Sequence, residues 1–202
     1  MRYQVDENGV YTKVESYDSG LSMDQLITLA SMIEKEAAKT GDYAKVSAVF
    51  HNRLAQGMRL ESDPTAKYTD GATNMVLTSA QVSLDTPYNT YVIPALPIGP
   101  ICNPSPAAIE AALHPSQSFI DEGYLYFCSK DPSSGELYFS KTLAEHEAAV
   151  AEYRPLWEAF DEEQRRKAEE EAAKAAAEAA AAVASADPNA TVDPNASAAP
   201  AQ

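Results

Sequence analysis

The sequence predicts an α+β fold, in which a helical core carries a small antiparallel β-hairpin and is followed by a tail that is first helical and then disordered. Capping-box spacing at Ser22 and at Thr78 precedes apolar residues at helical intervals, which predicts helices. Residues 124–128 and 137–140 are rich in aromatic and β-favouring residues, and the polar segment between them is typical of a hairpin connection. Asp161 begins an Ala/Glu-rich segment with helix propensity but no apolar stripe beyond alanine.

Length and composition indicate one domain with an appendage in a chain of 202 residues. We distinguish an N-terminal strand or linker region (residues 1–21), a main domain (22–160) and an acidic Ala/Glu-rich tail (161–202). Short alternating segments in the first region predict a small hairpin or a strand. The repeated Asp-Pro-Asn-Ala at the end of the tail predicts disorder for residues 186–202.

The formal net charge of -15 limits the classes of partner. The sequence offers no Lys/Arg cluster to neutralise phosphates, which argues against nucleic acid, and its charge disfavours adsorption to anionic membranes. No apolar run approaches the roughly 20 residues of a membrane span, and the first residues do not begin a signal peptide. The chain is therefore expected to be either cytoplasmic or a piece of a longer protein.

Cysteine and histidine spacing predicts neither a metal nor a cofactor. Cys102 and Cys128 lack CxxC spacing, so they either pair with each other or are two buried thiols. His51, His114 and His146 are scattered over three predicted elements without an H-x-x-x-H motif.

The first long helix, predicted from residue 23 to about residue 40, contains the run Glu34-Lys35-Glu36. At 100° per residue the two glutamates lie roughly 160° apart, one on each flank of the apolar stripe. Partial desolvation at such a border raises the pKa of a carboxyl group towards the range that suits a general acid. Alternatively, both glutamates are solvated surface residues, and helical phase alone does not choose between them.

The remaining elements are predicted from helix-capping residues and from the positions of glycine and proline. Further helices are predicted over residues 42–57, 78–84, 105–113 and 142–155. Residues 62–65 are typical of a turn, and the prolines within residues 88–106 predict a stiff extended loop that holds side chains in place.

Several separated strings of the sequence point to one family. LASMIEKEA, VFHNRL, GMRLESDPT, YNTY, LPIGPICNPSPAAIEAALHP, YLYF and YFSKTLAEH resemble, in this order, the catalytic domain of the MltG (YceG-like) endolytic murein transglycosylases. The resemblance covers roughly residues 22–155, and several blocks in one order are far more specific than any single block.

The resemblance places the catalytic role on Glu36, the second glutamate of the E-K-E run. Family members commonly have Thr after this residue, whereas this chain has Ala37. We therefore expect a hydroxyl that orients the carboxyl group to be missing at that position.

The resemblance implies cleavage of the β-1,4 bond between N-acetylmuramic acid and N-acetylglucosamine in peptidoglycan strands, without water. One glutamate protonates the leaving oxygen and then accepts the proton of the C6 hydroxyl that closes onto C1, which gives a 1,6-anhydro end. A hydrolase would need a bound water or a second acid. Asp63 is the nearest candidate for that acid in sequence, although Asp before Pro is a common turn residue.

Seven residues are candidates for substrate binding: Asn52, Arg53, Asp63, Tyr88, Asn89, Tyr91 and Asn103. Amides and phenols on the stiff loop suit N-acetyl groups and sugar faces; alternatively, the tyrosines pack in the core and Asn89 is a turn residue. Arg53 either holds a carboxylate of the substrate or pairs inside the fold with Glu34 or Asp63.

The resemblance also implies a location and partners. Family members carry an N-terminal transmembrane helix and a LysM-like region, so we expect this chain to be the catalytic part of a longer, membrane-anchored protein on the extracytoplasmic face of the membrane. A link with peptidoglycan synthases is implied in the same way. Two other classes stay open, which are a glycan-binding module that does not cut and a wall-associated scaffold whose tail is a spacer.

Overall fold

A computed structural model describes residues 2–5, 11–14 and 20–185. In chain order the elements are β1 (Arg2–Val5), β2 (Tyr11–Val14), α1 (Met23–Glu36), a 3-10 turn (Thr40–Asp42), α2 (Tyr43–Ala55), α3 (Asp63–Lys67), α4 (Ser79–Ser83), α5 (Pro106–Leu113), α6 (Gln117–Glu122), β3 (Tyr126–Asp131), β4 (Glu136–Ser140) and α7 (Leu143–Ser185). The predicted α+β class is confirmed, and β1 and β2 pair in antiparallel register, which agrees with the hairpin alternative for this region. The predicted disorder of residues 186–202 lies outside the described residues.

α1 begins where the capping box predicts. Ser22 Oγ accepts a hydrogen bond from the Gln25 amide (3.3 Å), and Gln25 Oε1 accepts one from the Ser22 amide (2.8 Å). The helix ends at Glu36, four residues before the predicted end, because Ala37 adopts an extended conformation (φ -116°, ψ 128°) and is buried. Glu36 is therefore the last helical residue.

The core lies where α1 packs against α2 and α5. Leu29, Ile33, Val46 and Phe50 are almost completely buried in it, and small alanines of α5 such as Ala108 let the helices approach closely. The apolar stripes predicted for α1 and α2 thus face each other, and their burial is the main force that fixes the position of the end of α1.

The predicted second hairpin forms from β3 and β4, with Phe127 opposite Phe139 in an antiparallel register. Phe127 also packs edge-on against Phe50, with ring centroids 5.8 Å apart, which docks the hairpin on α2. At its turn Gly135 has φ +64°, and a Cβ there would lie 2.6 Å from the Ala38 Cβ. The hairpin therefore passes close to the chain that follows Glu36.

Two short helices of the structure were not predicted. Asp63–Lys67 forms α3 where a turn was predicted, with Pro64 in its first turn, and Gln117–Glu122 forms α6 before the left-handed Gly123. Neither has room for an apolar repeat, which explains why periodicity did not reveal them.

The prediction that a helix ends at Pro155 is wrong, because α7 continues through this proline to Ser185. A proline inside a helix removes one backbone hydrogen bond and is normally disfavoured. Here side chains anchor the helix beyond the proline: Trp157 Nε1 donates to the Ser129 carbonyl (3.0 Å), and Asp161 accepts two backbone hydrogen bonds.

The chain divides into two compact units, Met1–Asp161 and Glu162–Gln202. The first unit contains both hairpins and α1 to α6. In the second unit the described residues are helical as far as Ser185. Across the part of the chain that is described, no helix has both the length and the apolar character needed to cross a membrane.

Candidate active site

Glu36 is the last residue of α1, and its half-buried side chain reaches the segment that precedes α3. The Ser62 hydroxyl donates a hydrogen bond of 2.5 Å to Glu36 Oε1. Ser62 itself is buried. Because α1 ends at Glu36, the carboxyl group also lies at the negative end of the helix dipole, which disfavours its charged form.

A cluster of buried hydroxyls fixes Ser62. Its amide donates to Thr90 Oγ1 (2.9 Å), its carbonyl accepts from the Thr65 hydroxyl (2.6 Å), and the two threonine hydroxyls lie 2.8 Å apart. All three residues are buried, so protein groups hold the hydroxyls in place. Ala37 offers no hydroxyl, as expected, but Ser62 supplies one to the same carboxyl group from elsewhere in the fold.

Burial raises the pKa of Glu36 to about 8, and the negative charge of Asp63 adds to this shift. The Ser62 hydrogen bond and the positive charges of Lys67 and Arg53 act in the opposite direction without cancelling it. Glu36 is therefore mostly protonated at neutral pH, in the form that donates a proton.

Asp63, the first residue of α3, lies beside Glu36 on the same cavity. The Tyr91 hydroxyl donates a 2.5 Å hydrogen bond to Asp63 Oδ1. Burial raises the pKa of Asp63, while the Tyr91 hydrogen bond and the charge of Lys67 lower it. Burial and the neighbouring Asp63 raise the pKa of the Tyr91 hydroxyl, so Tyr91 stays protonated and remains a hydrogen-bond donor.

Glu34 points to the other flank of α1, as the helical phase predicts. Its Oε2 accepts hydrogen bonds from the Ser105 hydroxyl (2.5 Å) and the Ser105 amide (3.0 Å), and its Oε1 accepts one from the Tyr43 hydroxyl (3.2 Å). The Ser105 hydrogen bonds lower the pKa of Glu34. Glu34 is thus an ionised carboxylate that helps to cap α5, and it cannot donate a proton at neutral pH.

A cavity of about 520 Å³ opens beside Glu36. Its polar and charged lining residues are Lys35, Glu36, Arg53, Glu61, Asp63, Lys67, Tyr91, Ser129, His146 and Arg154, and its apolar lining residues include Met75, Val76, Leu77, Val82, Phe127, Leu137, Val150 and Trp157. The volume lies within the range of small-ligand pockets, about 300–1,000 Å³. A protonated carboxyl group thus faces a space large enough for part of a carbohydrate chain.

Three of the predicted binding residues line this cavity, namely Arg53, Asp63 and Tyr91. The Arg53 guanidinium is largely occupied inside the fold, because it donates to the carbonyls of Leu125 (2.6 Å) and Leu60 (3.0 Å) and pairs with Glu61 (3.4 Å). Its ion-pair partner is thus Glu61 rather than Glu34 or Asp63, the partners considered from the sequence.

The other four predicted residues are not among the described residues that line the cavity. The Asn52 amide donates to the carbonyls of Phe119 (3.1 Å) and Tyr124 (2.9 Å). Asn89 is fully buried, and its amide donates to three carbonyls around the end of α4. These two side chains hold loops in place.

Tyr88 and Asn103 also lie away from the cavity. Tyr88 packs against the core, with its ring centroid 4.6 Å from that of Tyr68, which agrees with the packing alternative. Asn103 is exposed on the proline-rich loop. A role for either residue in binding stays a prediction.

Sequence reasoning missed Ser62, Lys67 and Trp157 as parts of the site. Ser62 belongs to the predicted turn and Lys67 follows that turn, whereas Trp157 follows the proline at which the helix was predicted to end. The YNTY string contains Thr90, so the resemblance marked one residue of the hydroxyl cluster without indicating its contact.

Neither metal-binding clusters nor disulfides are found in residues 2–5, 11–14 and 20–185. No group of three or more His, Cys, Asp or Glu there is arranged to hold a metal ion. Cys102 and Cys128 are both free thiols, and burial raises the pKa of Cys128 to about 11, so it stays protonated. The cysteines are thus unpaired, as in the second alternative, but Cys128 is buried and Cys102 is partly exposed.

The fold and the site together define an α+β domain with one protonated carboxyl group at a cavity, held by buried hydroxyls. The YceG-like family model matches residues 2–152. An endolytic murein transglycosylase of Bacillus subtilis is 41% identical over 145 residues, which are 69% of this chain and 39% of that protein. An endolytic murein transglycosylase of Streptococcus pneumoniae is 33% identical over 148 residues, which are 71% of this chain and 26% of that protein.

A crystal structure of a YceG-like protein of Listeria monocytogenes is similar with a TM-score of 0.58 and 43% identity, over 64% of this chain and 40% of that one. The chain therefore belongs to the YceG-like family. It spans two fifths or less of the length of the relatives described here.

Proposed function

We propose that this domain is a lytic transglycosylase that cleaves the β-1,4 bond between N-acetylmuramic acid and N-acetylglucosamine in peptidoglycan strands, with Glu36 as its catalytic residue. The observation that carries the proposal is the raised pKa of Glu36, about 8, at the edge of a cavity of about 520 Å³. The names of the relatives, endolytic murein transglycosylases, support the choice of substrate.

In the first step the protonated Glu36 donates its proton to the bridging oxygen, and the bond from that oxygen to C1 of the muramic acid breaks. The leaving sugar takes the proton, and positive charge develops at C1. The Ser62 hydrogen bond to Oε1 stabilises the carboxylate that remains and keeps the carboxyl group oriented.

In the second step the C6 hydroxyl of the same muramic acid forms a bond to C1 and gives its proton back to Glu36. No water is consumed, and the product ends in a 1,6-anhydro ring. One carboxyl group is sufficient for both steps, since the group that acts as acid is left as the base.

Asp63 and Tyr91 line the same cavity as Glu36. We assign to the Asp63 carboxyl the electrostatic role of raising the pKa of Glu36, with its own position fixed by the Tyr91 hydroxyl. This role differs from that of a base for water, which a hydrolase would require.

The decisive experiment is digestion of purified peptidoglycan strands, with the products identified by mass spectrometry. Anhydro-muropeptides that disappear in Glu36→Gln and persist in Glu34→Gln support the proposal. Reducing ends in place of anhydro ends make the enzyme a hydrolase, with Asp63 as the first candidate base. Binding of strands without any product makes the domain a glycan-binding module.

The location follows from the substrate. Because peptidoglycan lies outside the cytoplasmic membrane, we propose that the domain works on the extracytoplasmic face, as part of a longer chain with a membrane anchor. Fractionation of cells that express the full-length gene, combined with protease accessibility of this domain, tests the location. A domain protected from external protease in spheroplasts contradicts it.

A further inference from the structure

The segment between α3 and α4 forms part of the wall of the cavity, although residues 71–78 contain neither helix nor strand. Three consecutive residues of this segment, Met75, Val76 and Leu77, line the cavity. A loop with no regular hydrogen-bond pattern needs other contacts to keep a fixed position.

Asp161 of α7 supplies such contacts. Its Oδ1 accepts a hydrogen bond of 2.6 Å from the Met75 amide, and its Oδ2 accepts one of 3.0 Å from the Val76 amide. Both oxygens of one carboxylate are thus used on two successive backbone amides of the cavity wall. Hydrogen bonds to a charged acceptor are stronger than neutral ones, so this contact is an effective anchor.

The same part of α7 is hydrogen-bonded to strand β3. Trp157, one turn before Asp161, lines the cavity and donates from Nε1 to the Ser129 carbonyl of β3 (3.0 Å). The stretch from Trp157 to Asp161 therefore connects the loop wall with the hairpin wall of the cavity.

Other bonds hold the base of the loop without replacing the Asp161 contact. Lys67 Nζ donates to the Asn74 carbonyl (2.8 Å), and Gln81 donates to Asp70 (2.9 Å). Asn74 Nδ2 donates to the Val76 carbonyl (2.6 Å), which is a contact within the loop, whereas Asp161 holds the amides of two cavity-lining residues from α7, outside the loop. Asp161 also lies beyond residues 2–152, which the family model matches.

We propose that Asp161 is a positioning residue. Its two hydrogen bonds to the Met75 and Val76 amides, called the clasp below, keep the substrate cavity formed before a glycan strand binds. The functional domain then extends past the family match to Asp161. This inference rests on the proposed function only in naming the glycan strand as the ligand. A free loop would have to be ordered on binding, so loss of the clasp weakens affinity while the chemistry at Glu36 is kept.

Asp161→Asn is the test variant, since it removes the charge and one of the two acceptors with little change in size. Glu162→Gln is the matched control, because it removes a negative charge from the next residue, which is exposed. Asp161→Glu restores the carboxylate and is expected to recover part of the loss. Amide hydrogen exchange measured residue by residue reports on the clasp itself.

Affinity is measured in the Glu36→Gln background, so that strands are bound and not cut. Trp157 is the single tryptophan of the chain and lines the cavity, so its fluorescence reports binding of uncross-linked glycan strands. In Asp161→Asn we expect exchange at Met75 and Val76 and the dissociation constant each to rise about tenfold. With Glu36 present, KM rises by a similar factor and kcat changes less than about twofold.

Unchanged exchange at Met75 and Val76 in Asp161→Asn overturns the clasp. Faster exchange with unchanged affinity, or a fall in kcat as large as the rise in KM, overturns the positioning role. An unaltered chain that binds no strands contradicts the proposed function instead, and amide exchange then decides the clasp by itself.

Discussion

Glu34 and Glu36 lie two residues apart on one helix, yet their surroundings give them different protonation states. Glu34 lies at the N-terminal end of α5, where the Ser105 amide and hydroxyl donate to it and lower its pKa. Glu36 lies at the C-terminal end of its own helix, where burial and Asp63 raise its pKa to about 8. The neighbours of each carboxyl group, rather than the sequence around it, therefore decide which glutamate is an acid.

The comparison also separates two uses of serine. Ser105 donates both its amide and its hydroxyl to Glu34 and caps α5, so it stabilises an anion. Ser62 donates only a hydroxyl to Glu36, and its amide is taken by Thr90. One donor orients the carboxyl group without forcing it to ionise, which is what a general acid needs.

The largest expected effect comes from removing each carboxyl group in turn. Glu36→Gln should lower kcat for strand cleavage by at least ~10³-fold, because no proton donor is left, whereas Glu34→Gln should keep kcat within about tenfold. Release of anhydro-muropeptides measures both. Circular dichroism controls for folding, and an equal loss in the two variants would contradict the assignment.

The dependence of kcat/KM on pH is the second way to distinguish Glu36 from Glu34. Since Glu36 must be protonated, kcat/KM should fall about tenfold per pH unit above pH 8, the pKa of Glu36. A profile that falls already above pH 5 would show that another group is the acid.

Stability should follow pH with opposite signs for the two glutamates. The folded pKa of Glu36 lies above the ordinary value of 4.5, so its contribution to the free energy of unfolding decreases as pH rises from 4.5 to about 8. The pKa of Glu34 is lowered, so its contribution is present above 4.5 and is lost as pH falls. Urea unfolding across pH tests this, and Glu36→Gln should remove the decrease on the alkaline side.

Ser62→Ala should have an intermediate effect. Its hydrogen bond lowers the pKa of Glu36, so without it the alkaline limb of kcat/KM moves to higher pH, while kcat falls about 10- to 100-fold because the carboxyl group is no longer oriented. Ser62→Thr keeps the hydroxyl and is the matched control. An alkaline limb that moves to lower pH would contradict the contact.

Asp63→Asn should shift the alkaline limb of the kcat/KM profile to lower pH, which is opposite to the shift expected for Ser62→Ala. Removing the negative charge beside Glu36 lowers the pKa of Glu36, so activity declines at a lower pH. Tyr91→Phe is a useful companion, since it removes the hydroxyl on Asp63 and leaves the Asp63 carboxyl in place. An unchanged limb in Asp63→Asn would mean that burial alone raises the pKa.

The smallest effect on activity is expected from changing Ser105, which donates a hydrogen bond to Glu34. Ser105→Ala removes the N-cap of α5 and a hydrogen bond to Glu34, which should lower the free energy of unfolding by ~1–2 kcal/mol with kcat nearly unchanged. Urea unfolding and strand cleavage measure the two quantities. A large loss of kcat at unchanged stability would place Glu34 in the reaction.

The helices and strands were predictable because their signals are local. Ser22 with Gln25 and Thr78 with Gln81 are capping boxes within one turn, and the structure contains both. The opposite directions of Glu34 and Glu36 also followed from helical phase. The choice of Glu36 came from the family resemblance alone, and the structure adds the physical difference between the two carboxyl groups.

Contacts between distant parts of the chain were not predictable in this way. Asn89 was predicted to be a ligand of sugars or a turn residue. Its Oδ1 accepts from the Tyr91 amide (3.2 Å), as in a turn, and its amide also holds the chain around the end of α4. Arg53 was expected to pair with Glu34, Asp63 or a substrate carboxylate, and it pairs with Glu61. A polar side chain looks the same in the sequence whether its partner is a ligand or a backbone carbonyl.

The sequence by itself determined the fold class, the starts of the helices with capping signals and the presence of a glutamate at the border of an apolar stripe, because each depends on residues within a few positions of one another. Only the tertiary structure brought Ser62 to Glu36 and Asp161 to Met75, 26 and 86 residues apart. Burial and charge act through space, so the pKa of a carboxyl group is decided by the packing of the whole domain.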